Sequence, residues 1–361
     1  MLAPHRAARA LVAAGLTVGA LSAMAVTLSA PALALPTAPA AVKWTGLKLI
    51  NGWQNAAYST SKAAVTNISG IVYLRGGIHN GSGTQVFVLP PAFRPALTVY
   101  LNVDLCGANK GQLIINHKGK AYVLSEGAFS TAQCFTSLDG VSFARSGNSF
   151  TSLKLLNGWH PESPITAKPQ ARVISGIVHL RGGMWTAGNS QHPFVLPRGF
   201  RPATTVYVPV DLDNSNLGQL IIQRNGTVTV NSEISFANAQ GFTSLDGVTF
   251  ALSGASFTTL KLLNGWKIDP EGSYPKPAAR QSSGIVRLRG AIVTSGSDPI
   301  AFRLPKAMRP AHAVFVPVVL CLTNNGRLDI SPDGTVLVEA EGGTFSHAQC
   351  LTSLEGAWFA R

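Results

Sequence analysis

Beyond residue 44 the apolar positions of the chain recur mostly with period two. Leu47 and Leu49 flank Lys48; Val99, Leu101, Val103 and Leu105 alternate with Tyr100, Asn102 and Asp104; Leu113 with Ile115, and Val141 with Phe143, continue the pattern. Short alternating runs bounded by Gly, Pro and Asn read as β-strands with one buried face. Asn225-Gly226 and Asp333-Gly334 lie between two such runs and supply the positive φ angles of a tight hairpin. Arg-Pro pairs at 94–95, 201–202 and 309–310 lead into strands, where a mid-sheet proline would not fit. No segment after the N-terminal region has helical periodicity.

The strands are organised by repetition. Leu47-Lys48-Leu49-Ile50-Asn51-Gly52-Trp53 returns from Leu153 to Trp159 and from Leu260 to Trp266. Gly70-Ile71-Val72-Tyr73-Leu74-Arg75-Gly76 returns from Gly176 and Gly284, and Thr-Ser-Leu-(Asp/Glu)-Gly from Thr136, Thr243 and Thr352. A period of about 107 residues is the length of one small domain. The expected architecture is all-β: three tandem β-sandwich or jelly-roll domains over 42–148, 149–255 and 256–361, each with seven or eight strands. The joining segments 143–150 and 250–257 are too short to let the copies behave as separate beads.

Composition narrows the class. Hydrophobic residues make up 46% and charged residues 12%, which excludes a disordered chain. The 36 Gly and 22 Pro suit a turn-rich β-protein. The formal charge is +13, but the basic residues are scattered with no run of five, so nucleic acid is not an expected partner. Residues 1–41 read as a signal peptide: His5, Arg6 and Arg9 precede an apolar stretch from Leu11 to Leu28, and small residues around Ala34 and Ala40 offer cleavage sites. With no later spanning segment, the mature chain is expected to be secreted, extracellular and without a stable membrane anchor. The four cysteines agree. Cys106 and Cys134 fall in the first repeat and Cys321 and Cys350 in the third, while the second has Asp213 and Gly241 at those places. Cysteines that come and go in pairs predict the disulfides Cys106–Cys134 and Cys321–Cys350 and an oxidising compartment. Two Cys per repeat without a recurring His pair are too few for a zinc site.

Chemistry-bearing patterns are sparse. There is no H-E-x-x-H, G-x-S-x-G, phosphate loop or C-x-x-C, and no His position recurs. One acidic column is read as recurring, Asp139, Asp246 and Glu355, before a turn glycine; Asp211 with Asp213 and Glu339 with Glu341 read as solvated strand-edge charges. Neither supplies the carboxylate pair of a glycosidase, so no catalytic residue, cofactor or metal is expected. The recurring candidates for ligand binding are Trp53, Trp159 and Trp266, which could present an indole to a sugar ring or cap the core. With them stand Arg75, Arg181 and Arg289, which could bind an acidic ligand or pair within the protein. Segments 54–68, 160–173 and 267–282, and 78–85, 184–192 and 292–299, differ wholly between repeats, and variable loops on a fixed scaffold are where recognition usually lies.

The order Asn-Gly-Trp, Gly-Ile-Val-x-Leu-Arg-Gly, Leu-Pro-x-x-Phe-Arg-Pro and Ser-Leu-Asp-Gly-Val-x-Phe resembles the C-terminal jelly-roll or head domains of phage tail and receptor-binding proteins. That resemblance implies domains that trimerise and bind host-surface glycans, and hence three tandem copies folded as a pseudo-trimer within one chain. The export segment, the cysteine pairs and the lack of a fibre shaft depart from that family. The reading is a secreted, non-catalytic protein binding a polysaccharide or cell-surface glycan through multivalent repeats. The alternatives are an interaction protein with a protein partner in an extracellular or phage-derived assembly, and a jelly-roll hydrolase.

Overall fold

The alternating runs become antiparallel strands in the computed structural model, which describes residues 42–147, 149–252, 255–269 and 274–361. The signal segment expected over 1–41 lies outside the described residues. In the first repeat Thr45–Gly46, Ala64–Ile68, Ile71–Arg75 and Ser142–Ala144 form one sheet in that order. Gln85–Val88, Lys120–Ser125, Lys110–Ile115 and Val99–Asp104 form the second. Val65, Val72, Leu74 and Phe143 of the first sheet share a core with Val86, Leu101, Val103, Leu113 and Val123 of the second, the two inner faces of a sandwich. A smaller sheet of Gln54–Asn55, Gly77–His79 and Thr136–Ser137 completes the unit. The same element order recurs at the equivalent residues of the second and third repeats, except that Val195 only bridges Thr227 where the others have a full edge strand.

Local chemistry explains the recurring motifs. Asn51 and Gly52 both take positive φ, 51° and 75°, and the Asn51 amide donates to Gln85 O at 2.9 Å. Asn157 and Asn264 do the same to His192 O and Ile300 O. Ser69-Gly70, with φ of 55° and 86°, is the two-residue loop joining Ala64–Ile68 to Ile71–Arg75. The alternation does not reveal one six-residue helix per repeat, Phe129–Cys134, Phe236–Gly241 and Phe345–Cys350. In the first and third repeats the helix ends on the cysteine of the disulfides Cys106–Cys134 and Cys321–Cys350, as expected. In the second, Asp213 faces Gly241, where a Cβ would lie 2.7 Å from its Oδ2.

The three repeats close on one another. Ser137 Oγ donates to Phe315 O at 2.6 Å, Ser244 Oγ to Tyr100 O at 2.7 Å and Ser353 Oγ to Tyr207 O at 2.6 Å. The donors are equivalent residues and so are the acceptors, so the first repeat binds the third, the second the first, and the third the second. Strands Val99–Asp104, Val206–Asp211 and Val314–Val319 meet pairwise along the resulting axis. Gly247, at φ 80°, brings the first and second repeats together so closely that a Cβ there would sit 3.1 Å from Leu101 and from Ser142 O.

The axis also carries charge. Lys110 Nζ lies 2.7 Å from Asp211 Oδ1 with both side chains at 1% exposure or less, and Nζ donates as well to Gly111 O. Gln112 donates to the other Asp211 oxygen. Arg327 bridges Asp104 of the first repeat and Glu339 of its own. Asp211 is therefore a buried anchor between repeats, not the solvated strand-edge charge expected from sequence; its partners come from another repeat and are invisible to local spacing. Removing one partner of a buried pair leaves an uncompensated charge. Lys110→Met is expected to destabilise by about 3–5 kcal/mol in denaturant unfolding, and Lys110→Met with Asp211→Leu to recover most of that loss. Equal stability of the single variant and the parent would refute the pairing.

Candidate functional site

The tryptophan column lies inside the protein. Trp53, Trp159 and Trp266 are 5%, 4% and 4% exposed, and each indole Nε1 donates to a backbone carbonyl, at Gly83, Ser190 and Asp298. Phe129, Phe236 and Phe345 of the short helices pack edge-on against them. No indole face of this column is open to a sugar ring. The positive-φ Asn-Gly turn aims the following side chain into the core, a direction that the sequence alone leaves open.

The arginine column is half-buried and stacked on an aromatic ring of its own repeat, and Arg181 also donates to Gly147 O of the first repeat at 3.1 Å. Arg75, Arg181 and Arg289 stack on Trp44, Phe150 and Phe257 with the guanidinium carbon 4.4, 4.1 and 4.4 Å from the ring centre. Beside them Asp139, Asp246 and Glu355 are fully buried, each accepting the N–H of the glycine that follows the arginine (Gly76, Gly182, Gly290). The second oxygen of each has no partner among the described residues. Burial pushes all three carboxyls up to about 7, against the pull of the glycine N–H and the arginine.

A second acidic column recurs, and Glu341, expected from sequence to be a solvated strand-edge charge, belongs to it. Glu126, Glu233 and Glu341 are equivalent residues from three repeats, and their carboxylates converge with oxygens within 4.8 Å of one another. Backbone N–H groups of a neighbouring repeat favour the ionised form of each: Leu217 for Glu126, Asn325 for Glu233 and Lys110 for Glu341. Burial, with repulsion from the neighbouring glutamates, raises Glu126 and Glu233 to about 7, and burial alone raises Glu341 against the pull of Asn325 and Lys110. The signal in the sequence is a Glu ten, ten and eleven residues before the Thr-Ser-Leu motif. Three carboxylates suit a hard cation by donor type, but the charge of Lys110 already acts on all three, and the cavities described here include none of them.

Open surface is found on the variable segments. In the second repeat Trp185, on strand Gly183–Thr186, is 37% exposed and pairs across the sheet with His160 on Trp159–Pro161. Their rings lie 5.0 Å apart at 35°. The equivalent cross-strand pair is Gln54 with His79 in the first repeat and Lys267 with Val293 in the third. A groove of about 270 Å³ separates the first and second repeats, lined by Leu97, Thr98, Arg145, Ala167 and Arg181 among others. No helix among the described residues is long and apolar enough to cross a membrane. No protein-family model, curated protein or solved structure matches the chain.

The raised carboxyls have a thermodynamic consequence. In the unfolded chain Asp and Glu ionise near 4, whereas Asp139, Asp246, Glu355, Glu126 and Glu233 do so at about 7 in the fold. Their stabilising contribution is complete below the unfolded value and is lost as pH rises through the folded one. Thermal unfolding is thus expected at higher temperature near pH 5.5 than near pH 8. Asp139→Asn, Asp246→Asn and Glu355→Gln together should flatten that profile; stability that climbs towards pH 8 would contradict it.

Proposed function

We infer that the mature chain is a secreted, non-catalytic binding protein that recognises carbohydrate, with the contact centred on Trp185 and His160. The observation that carries this reading is the exposed aromatic pair. An indole face offers a flat apolar surface to the C–H face of a pyranose, and an adjoining imidazole can hydrogen-bond its hydroxyls. Secretion is supported by the export segment and is compatible with the two disulfides. Because the pair occurs in the second repeat alone among the equivalent positions, the reading narrows from three equal sites to one dominant site with differently equipped neighbours.

A second reading, docking of a protein partner, is favoured by Leu322. This leucine is 80% exposed and holds φ 59°, where the other repeats place Gly107 and Asn214 in the same left-handed conformation. An apolar β-carbon in that region is strained, and solvent gives it nothing in return.

Retention of the mature protein on insoluble polysaccharides and cell walls separates the readings. Carbohydrate recognition predicts retention that survives high salt, is competed by a defined sugar and is lost in Trp185→Ala. That surface change should alter stability by no more than about 0.5 kcal/mol. Retention that disappears with salt, or is indifferent to Trp185→Ala, would overturn the reading.

A further inference from the structure

One end of the axis holds a pocket of a chemistry opposite to that of the glutamate cluster. The third residue of strands Ile71–Arg75, Ile177–Arg181 and Ile285–Arg289 is Tyr73, His179 and Arg287, and all three line one cavity of about 60 Å³. Its rim includes Ser69, Ser175 and Ser283 of the three hairpin loops, and Arg280 leans across from the third repeat, its Nη1 donating to Ser175 O at 2.8 Å. Ile68, Ile174, Ile177 and Ile285 supply apolar walls.

The polar groups here are cationic or neutral donors. Arg287 Nη2 donates to Tyr73 Oη at 2.6 Å, which fixes the guanidinium and leaves its other N–H groups without a protein acceptor among the described residues. His179 is only 4% exposed, lines the cavity, and makes no hydrogen bond through its ring among the described residues. Burial, then Arg287, then Arg172, hold its pKa well below the usual value, so the ring is neutral and one nitrogen carries a proton to donate. No Asp or Glu lines the pocket. Guanidinium groups gathered in a half-enclosed space without a carboxylate, beside an imidazole that no described protein group hydrogen-bonds, lack the negative charge that would stabilise them.

We propose that this axial pocket binds one small oxyanion group, a carboxylate, sulfate or phosphate, received by Arg287, His179 and Arg280. The space is that of a few water-sized atoms, which matches the head of such a group and not a whole sugar ring. The isoleucine walls exclude water around it and strengthen the charge-assisted bonds. The site uses different residues from the Trp185 surface, so either can fail without the other.

Calorimetric titration of the mature protein with sodium sulfate, phosphate and acetate, each against sodium chloride at matched ionic strength, tests the proposal. The expected result is saturable binding of one equivalent of at least one oxyanion, weakened about tenfold or more by Arg287→Gln. Sulfate against acetate distinguishes a tetrahedral from a planar group. Arg280→Gln, at the half-buried rim, provides a variant that leaves the Tyr73–Arg287 bond in place, and it too is expected to weaken binding. Trp185→Ala is expected to leave anion affinity unchanged. No saturable binding beyond chloride, or affinity unaltered in a folded Arg280→Gln protein, would overturn the assignment.

Discussion

Three serine hydroxyls, Ser137, Ser244 and Ser353, each held by a backbone carbonyl of another repeat, set the frame on which everything else depends. They can close a ring only if the three sandwiches present the same edge in the same register, and that requirement explains why the Thr-Ser-Leu-(Asp/Glu)-Gly motif is among the best-kept stretches of each repeat. Around it the turn glycines admit the neighbouring strand, and aromatic pairs such as Phe135 with Phe315 and Tyr100 with Phe242 fill the seams. The ring forms within one chain, so its closure costs no translational entropy of association.

Covalent linkage also frees the axis from symmetry. A homotrimer must place every axial residue three times, and three tryptophans could not share one point. Here Trp358 occupies a position that is Ser142 and Thr249 in the other repeats, and packs edge-on against Tyr73 at 4.9 Å. The same freedom lets Lys110 face Asp211 where the third repeat has Val319, and lets Tyr73, His179 and Arg287 stand together. Positions that vary between repeats thus fall into two physical classes: outer segments, which carry the exposed Trp185 beside His160, and the axis, where three unlike side chains complement one another.

That division also explains what could be read from the sequence. Period-two alternation, Asn-Gly turns and the paired loss of cysteines are local or pairwise signals, and they led to the strands, the sandwich class and both disulfides. The facing direction of a side chain is not local. Trp53 is as conspicuous after its turn whether it points out or in, and the structure buries it against Phe129. Asp211 looked like an exposed strand-end charge because Lys110 lies a repeat away. Glu341 reads as a strand-edge charge, and its equivalence to Glu126 and Glu233 is hidden because neighbours on either side differ: Ser-Glu-Gly, Ser-Glu-Ile and Ala-Glu-Gly share one letter. Trp185 and His160 fell within segments marked as variable, but only cross-strand pairing shows that their rings adjoin.

The central claim is that the repeats form one unit closed about the axis and not three domains on a string. Differential scanning calorimetry of the mature chain, comparing calorimetric with van't Hoff enthalpy, addresses it most directly. Unfolding as one cooperative transition, with a ratio of about one, is the predicted result. A ratio approaching about three, or three resolved transitions, would mean that each sandwich unfolds alone and that the serine ring does not couple them.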